Sequence, residues 1–156
     1  MAITIEVGAP GWQDAHRDLY IRTNGAEGHL VDFTKGGGPA QTPCLILETT
    51  GRHSGEAKIL PLIYGEDGGR FVIVASKGGA PKHPAWYLNL EAHPEVAFQV
   101  IDKKYKGEAH TVHGAERERL FKMMAKIFPP YDAYQAKTDR EIPVVVLEPK
   151  GEIDKL

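Results

Sequence analysis

The sequence predicts a mainly β domain of the α+β class, a small barrel or strongly twisted antiparallel sheet with helices at its periphery. Three observations lead there. About six short segments rich in Val, Ile and Leu are each bounded by turns containing Gly, Pro or charged residues. Helical patterns fall singly between groups of these segments, not after every strand as a parallel βαβ sheet requires. At 156 residues the chain matches the usual size of one domain and can bury a core without disulfides or metals. The expected organisation is a single domain over 1–156: an N-terminal helical segment (1–25), a connection (26–43), the barrel with its helices (44–149) and a tail (150–156).

After a short extended start, residues Gly11 to Asn24 place Trp12, Ala15, Leu19 and Tyr20 near one face at helical spacing, and Gly25 supplies a stop. That face packs on the domain, with Trp12 and Tyr20 also candidates to reach a ligand as a lid. The Gly-, Thr- and Pro-rich stretch to Pro43 reads as a connection. Cys44 to Thr50, Ala57 to Tyr64 and Arg70 to Ser76 then read as three successive antiparallel strands, with Glu66-Asp67-Gly68-Gly69 as the clearest hairpin turn. Pro61 interrupts the middle one, which implies an edge position or a bulge.

His83 to Pro94 predicts a short helix with Pro84 in its first turn and Pro94 ending it. Glu95 to Ile101 and Lys104 to Val112 alternate and pair as a hairpin through Asp102-Lys103. Gly114 to Phe128 is a strong amphipathic helix broken by Pro129-Pro130, and Tyr131 to Lys137 adds one helical turn or two. Ile142 to Leu147 is a final buried strand, and Glu148 to Leu156 a charged tail expected to fray.

Composition excludes several functions. Nineteen Lys and Arg against 21 Asp and Glu leave a net charge of -2, so nothing draws the whole molecule to nucleic acid and any basic site must be local. A single cysteine, Cys44, rules out an internal disulfide or a cysteine metal cluster and reads as a buried thiol. No stretch approaches the roughly 20 apolar residues of a spanning helix, and the expectation is a cytoplasmic monomer or weak homodimer acting on a small molecule.

The chemistry concentrates between Thr49 and Asn89. Two glycine-bounded basic turns, Gly51-Arg52-His53-Ser54-Gly55 followed by Lys58 and Ala75-Ser76-Lys77-Gly78-Gly79 followed by Lys82, set cations and backbone N-H groups beside apolar strands. Such an arrangement suits an anionic ligand with a flat apolar portion; on residue types alone two ordinary surface turns are an equal reading. The phosphate-binding Gly-Lys-Ser/Thr order of a P-loop is missing, and His110 and His113 fall on opposite faces of a strand, with no metal set expected. Neither Ser54 nor Ser76 lies in a Gly-x-Ser-x-Gly elbow. A ligand site without acid, base or metal is typical of enzymes whose cofactor supplies the chemistry.

The ordered motifs Thr49-Thr50-Gly51-Arg52-His53-Ser54-Gly55, Pro61-Leu62, Asp67-Gly68-Gly69, Ala75-Ser76-Lys77-Gly78-Gly79, Pro84-Ala85-Trp86-Tyr87-Leu88-Asn89-Leu90 and Thr138-Asp139-Arg140 to Pro149 resemble the deazaflavin-dependent nitroreductase and quinone reductase family. The resemblance spans roughly Thr42 to Pro149. It implies a split β-barrel of the FMN-binding-like type and an oxidoreductase that uses coenzyme F420, an 8-hydroxy-5-deazaflavin with a phospholactyl-polyglutamate tail; FMN is the alternative cofactor, and a non-catalytic deazaflavin carrier the alternative function. It further implies hydride transfer to a quinone, an α,β-unsaturated lactone or enone, or a nitroaromatic. By the same resemblance Arg52, Ser54, Lys58 and Lys77 serve the phosphate and tail, Pro61, Val74, Ala75, Ser76 and Trp86 flank the ring, and Gly78 and Asn89 also bind the cofactor. Ser76, Tyr131 and Tyr134 are implied catalytic residues; Trp12, Ile63, Ala85, Phe128, Tyr131 and Tyr134 are implied on the acceptor side. Ile63 and Ala85 stand where nitroimidazole-reducing members have a tyrosine and a methionine, which enlarges or depolarises the pocket.

Overall fold

The computed structural model describes residues 5–156. It contains strands β1 (Leu30–Val31), β2 (Thr42–Thr50), β3 (Ala57–Ile63), β4 (Gly65–Asp67), β5 (Arg70–Val74), β6 (Glu95–Val100), β7 (Lys103–Val112) and β8 (Val144–Glu152). Four helices accompany them: α1 (Trp12–Arg22), α2 (Ala85–Ala92), α3 (Gly114–Ile127) and α4 (Pro130–Lys137). All pairings are antiparallel, and the hydrogen-bonded path runs β1-β2-β6-β7-β8-β5-β4, with β3 on the other side of β2. The two ends of the sheet, β3 and β4, are separated in the chain by Tyr64 alone, so the sheet curls back on itself. This is the α+β split-barrel architecture.

Two apolar clusters hold the curl. Leu45, Leu47, Phe71, Ile73, Phe98, Val145 and Leu147 fill the concave side, while Val72, Val74, Val144 and Val146 face α3 and α4 through Leu120, Met124, Phe128 and Tyr131. Alternation along β5 and β8 sorts successive residues between the two clusters, as the period of two demands.

Three expectations require correction. Arg70 to Val74 does not continue a three-strand meander with Ala57 to Ile63: it pairs with β8 on one side and, through a Gly68-Gly69 turn, with the short β4 on the other. Both turn glycines have positive φ (60° and 85°), the primed geometry that matches strand twist. Pro61 does occupy an edge strand, but without a bulge, since Ile46↔Pro61 lies in unbroken register from Cys44↔Ile63 to Thr50↔Ala57. An edge strand leaves one backbone side unpaired, so Pro61 forfeits no ladder bond there. The hairpin between β6 and β7 turns at Ile101-Asp102, one residue earlier than expected, with Ile101 at φ 57°; Tyr20 Oη accepts the Ile101 N-H at 2.7 Å and so ties α1 to this turn.

The charged tail is the third. Residues to Glu152 extend β8 and pair with β7 as far as Tyr105↔Glu152, across a register shift at Lys106/Gly107. Its polar side chains sit on a half-exposed strand that pairs with β7 alone beyond Leu147, and charge on such side chains does not oppose pairing there. The connection also carries structure, β1 and a 3-10 turn at Thr34–Gly36. The extended start begins in residues 1–4, outside the described part, and 7–11 form turns.

Candidate active site

Edge strand β3 runs between two cavities. Along its first half, Ala57 to Leu60, it borders a groove of about 600 Å³ lined also by Arg17, Arg52, Ser54, Trp86 and Asn89. Along its second half, Leu60 to Ile63, it borders a slot of about 440 Å³. The slot's other walls are Trp12 and His16 of α1, Phe33, Val74, Ser76 to Gly78, Trp86, and Phe128, Tyr131 and Tyr134. Leu60 and Trp86 belong to both, so groove and slot are continuous at that point. A third hollow, lined by Arg52, Lys77, Lys82, His83, Ala85 and Arg140, adjoins both. No carboxylate lines any of the three among the described residues.

The first basic turn is built to hold Arg52 in place. Asn89 of α2 is buried beneath it and accepts from the Arg52 backbone N-H at 3.1 Å and from Arg52 Nη1 at 2.9 Å. Its amide nitrogen faces Thr49 Oγ1 at 3.4 Å. Asn89 therefore acts on the groove through Arg52. Ser54 Oγ accepts the Glu56 N-H at 3.1 Å, and exposed Lys58 lies 3.7 Å from Glu56, a pair weak enough to exchange partners.

The second turn is fixed from two sides. Arg140 donates to the carbonyls of Ala80 (Nε, 2.8 Å), Ala75 (Nη1, 3.3 Å) and Ser76 (Nη2, 2.7 Å), and its Nη1 is 3.0 Å from His83 Nδ1. Burial lowers the Arg140 pKa, and burial followed by the Arg140 charge lowers that of His83. On the other side α4 presses against Gly79, where a Cβ would stand 2.7 Å from the Tyr134 carbonyl oxygen. With φ of 46°, 64° and 80°, Lys77, Gly78 and Gly79 are all left-handed. The turn's own bonds use the N-H groups of Gly79 and Ala80, which leaves those of Lys77 and Gly78 at its open end, a form that favours anions.

The slot is walled by linked aromatic rings. Trp12 meets Phe33 at 5.9 Å, Phe33 meets Phe128 at 5.4 Å, and Phe128 meets Tyr131 and Tyr134 at 5.0 and 6.4 Å. Burial raises the Tyr131 pKa far above the ordinary tyrosine value, so the hydroxyl stays protonated and can donate. Cys44 also borders the slot, but burial pushes its thiol up to about 12, leaving it inert.

Most of the residues singled out in the sequence converge. Pro61, Ile63, Val74, Ser76, Lys77, Gly78, Trp86, Trp12, Phe128, Tyr131 and Tyr134 line the slot; Arg52, Ser54, Lys58, Trp86 and Asn89 line the groove. Three do not fit their expected places. Ala75 is fully buried behind the turn, where its carbonyl meets Arg140. Ala85 borders the groove and the third hollow, away from the slot. Tyr20 is wholly buried and is not a lid. Sequence reasoning missed Arg140, Arg17, Phe33 and His16. Only Arg140 had a local signal, a cation within a motif stretch.

An edge-strand wall with a cation-lined groove on one half and an aromatic slot on the other defines a split-barrel protein able to seat a flat ring with an acidic appendage. The chain belongs to the F420H(2)-dependent quinone reductase family, which it matches over residues 12–149. It is 38% identical over 135 residues to the F420H(2)-dependent quinone reductase Rv1261c of Mycobacterium tuberculosis, covering 85% of this chain and 86% of that protein. A solved F420-H2 dependent reductase (FDR-A) is 45% identical with TM-score 0.64, over 68% of this chain and 94% of the other. A solved domain-swapped dimer is 38% identical with TM-score 0.67, over 86% and 96%.

Proposed function

We propose that the protein reduces a quinone at the expense of reduced coenzyme F420. The observation that supports this reading is the continuity of the carboxylate-free cationic groove with the apolar slot at Leu60 and Trp86. A flat ring bearing a polyanionic tail matches both parts at once; an isoalloxazine with a single phosphate uses fewer of the cations. Reduced F420, when bound, supplies a hydride from its ring, so this chain's residues have only to bind, orient and manage a proton.

Arg52, Lys58 and Lys77 offer charge to the phosphate and acidic tail, each good charge-assisted hydrogen bond contributing about 1.5 to 3 kcal/mol. Ser54 and the Lys77 and Gly78 N-H groups add neutral donors. Pro61, Val74 and Trp86 restrain the ring from sliding. Across the slot, the hydroxyls of Ser76, Tyr131 and Tyr134 can donate to an acceptor carbonyl, polarise it and deliver or relay the proton that accompanies the hydride. Phe33, Phe128 and Trp12 exclude water and present faces to a flat acceptor. Enones, unsaturated lactones and nitroaromatics satisfy the same requirement for an electrophilic centre beside an oxygen. Domain swapping in a 38% identical structure favours a homodimer over a monomer for this chain.

Absorbance of reduced F420 tests the reading directly. Mixing purified protein with reduced F420 and menadione should accelerate the loss of the reduced cofactor. No acceleration, or a protein that is yellow as isolated and turns over with FMN alone, would overturn it.

A further inference from the structure

Two polar side chains that line the slot, Gln13 and His16, are used by none of the steps above, and of the two only His16 is buried. His16, 1% exposed, lines the slot on α1. Its Nε2 lies 2.7 Å from the Gly28 carbonyl oxygen. A carbonyl only accepts, so in the neutral ring the proton sits on Nε2 and Nδ1 keeps its lone pair. Burial lowers the ring's pKa below the ordinary histidine value, which makes the neutral form the resident one at pH 7. The pose is fixed on several sides. Trp12 stacks on the ring at 6.5 Å and 14°, Tyr20 lies 6.3 Å away, and a Cβ on Gly28 would sit 3.3 Å from ring Cδ2.

Nδ1 has no hydrogen-bond partner among the described residues, and the cavity that His16 lines is the slot.

We infer that His16 Nδ1 is an acceptor-only contact that makes the slot prefer a flat aromatic ligand carrying a hydroxyl over the same ring without that donor. The inference rests on reading the slot as the acceptor site. Its meaning for a quinone follows from the balance of the reaction. The quinone presents carbonyl oxygens, which cannot donate; uptake of one hydride and one proton turns both into hydroxyls. Ser76, Tyr131 and Tyr134 can serve the oxidised form, whereas His16 gains its partner only as an O-H develops. A contact that strengthens along the reaction lowers its barrier, and a contact present throughout does not. His16 is in this sense a specificity-determining residue for the reduced or phenolic state.

The test uses the protein without cofactor and two ligands differing in one donor, 1-naphthol and 1-methoxynaphthalene, titrated by calorimetry at pH 7.5. In H16F the ring volume stays and both polar atoms are lost; H16L is a second replacement that likewise carries neither donor nor acceptor. The steric cost of the methyl group persists in each variant, so the readout is the naphthol-to-ether affinity ratio. It should fall about three- to tenfold from wild type to H16F, the yield of one neutral hydrogen bond, and equally in H16L should H16F not fold. An unchanged ratio in the folded variant overturns the role of His16 alone. Failure of both ligands to bind wild type overturns the slot as acceptor site and the inference with it.

Discussion

The groove and the slot share Leu60 and Trp86 but are made by opposite means. The groove's cations are Arg52 on a glycine-bounded turn, Lys58 at the start of β3 beside it and Arg17 on α1, so all but Arg17 lie within residues 51–58. The slot is assembled from α1, the loop at Phe33, both halves of the β3–β5 region and the α3–α4 corner, residues as far apart as Trp12 and Tyr134. Charge is therefore supplied locally and shape is supplied by the fold. Groove substitutions should cost cofactor affinity in a salt-dependent way, whereas slot substitutions should alter turnover and acceptor preference.

The largest effect should come from the residue that holds the second turn in place. Arg140→Ala strips donors from three carbonyls and His83 and should destabilise the domain by about 3 kcal/mol. Urea denaturation measures the loss, and cofactor affinity and turnover should fall together. Gly79→Ala adds a Cβ 2.7 Å from the Tyr134 carbonyl oxygen at a φ of 80°, at a cost of about 1 to 3 kcal/mol. It too should couple the regions, because the turn bearing Lys77 and the helix bearing Tyr134 must separate. A variant of either kind that loses one function and keeps the other breaks the idea that this turn supports cofactor and acceptor alike.

Substitutions of the turn cations and of the aromatic wall should separate the two functions. Lys58→Ala and Lys77→Ala should each weaken F420 binding severalfold at low ionic strength, with the deficit shrinking toward 0.5 M salt. Tyr134→Phe should leave that binding unchanged and alter kcat or KM for menadione. The smallest effect concerns pH. His16, His29 and His83 all have pKa values lowered chiefly by burial. Each binds protons more readily unfolded than folded, so the stability they contribute is complete above about pH 6.5 and is lost as pH falls through the lowered folded values. Hydrogen bonds from Arg119 and then Arg70 depress the Asp67 pKa, and the stability it contributes begins to be lost only as pH falls through the ordinary carboxylate range. Between pH 7 and 5, then, a falling melting temperature should report the histidines, and H16Q should flatten the decline slightly.

These contrasts also explain what the sequence could reveal. The basic turns, the Gly68-Gly69 hairpin and the helices were legible because each is written in adjacent residues. The pairing of β5 with β8 in place of β3 was not, because three apolar strands in a row leave partner choice to the curl of the whole sheet. Charge in 148–152 suggested fraying, yet those backbones pair with β7, since side-chain polarity on an outward face says nothing about ladder bonds. Phe33 was hidden in a glycine-rich connection, and His16 within an amphipathic helix whose polar face happens to meet a cavity. Arg140 was a lone cation until the fold brought three carbonyls to it.

The account stands or falls on whether tail charge and ring are recognised by separate parts of one continuous site. The decisive measurement is the affinity of the protein for F420 and for its deazaflavin ring lacking the phospholactyl-polyglutamate tail, each in wild type and in a Lys58→Ala/Lys77→Ala double variant at low salt. F420 should bind wild type far more tightly than the bare ring, the advantage should collapse in the double variant, and affinity for the bare ring should be the same in both proteins. Equal affinity of wild type for the two ligands, or an advantage that survives the loss of both lysines, would contradict it.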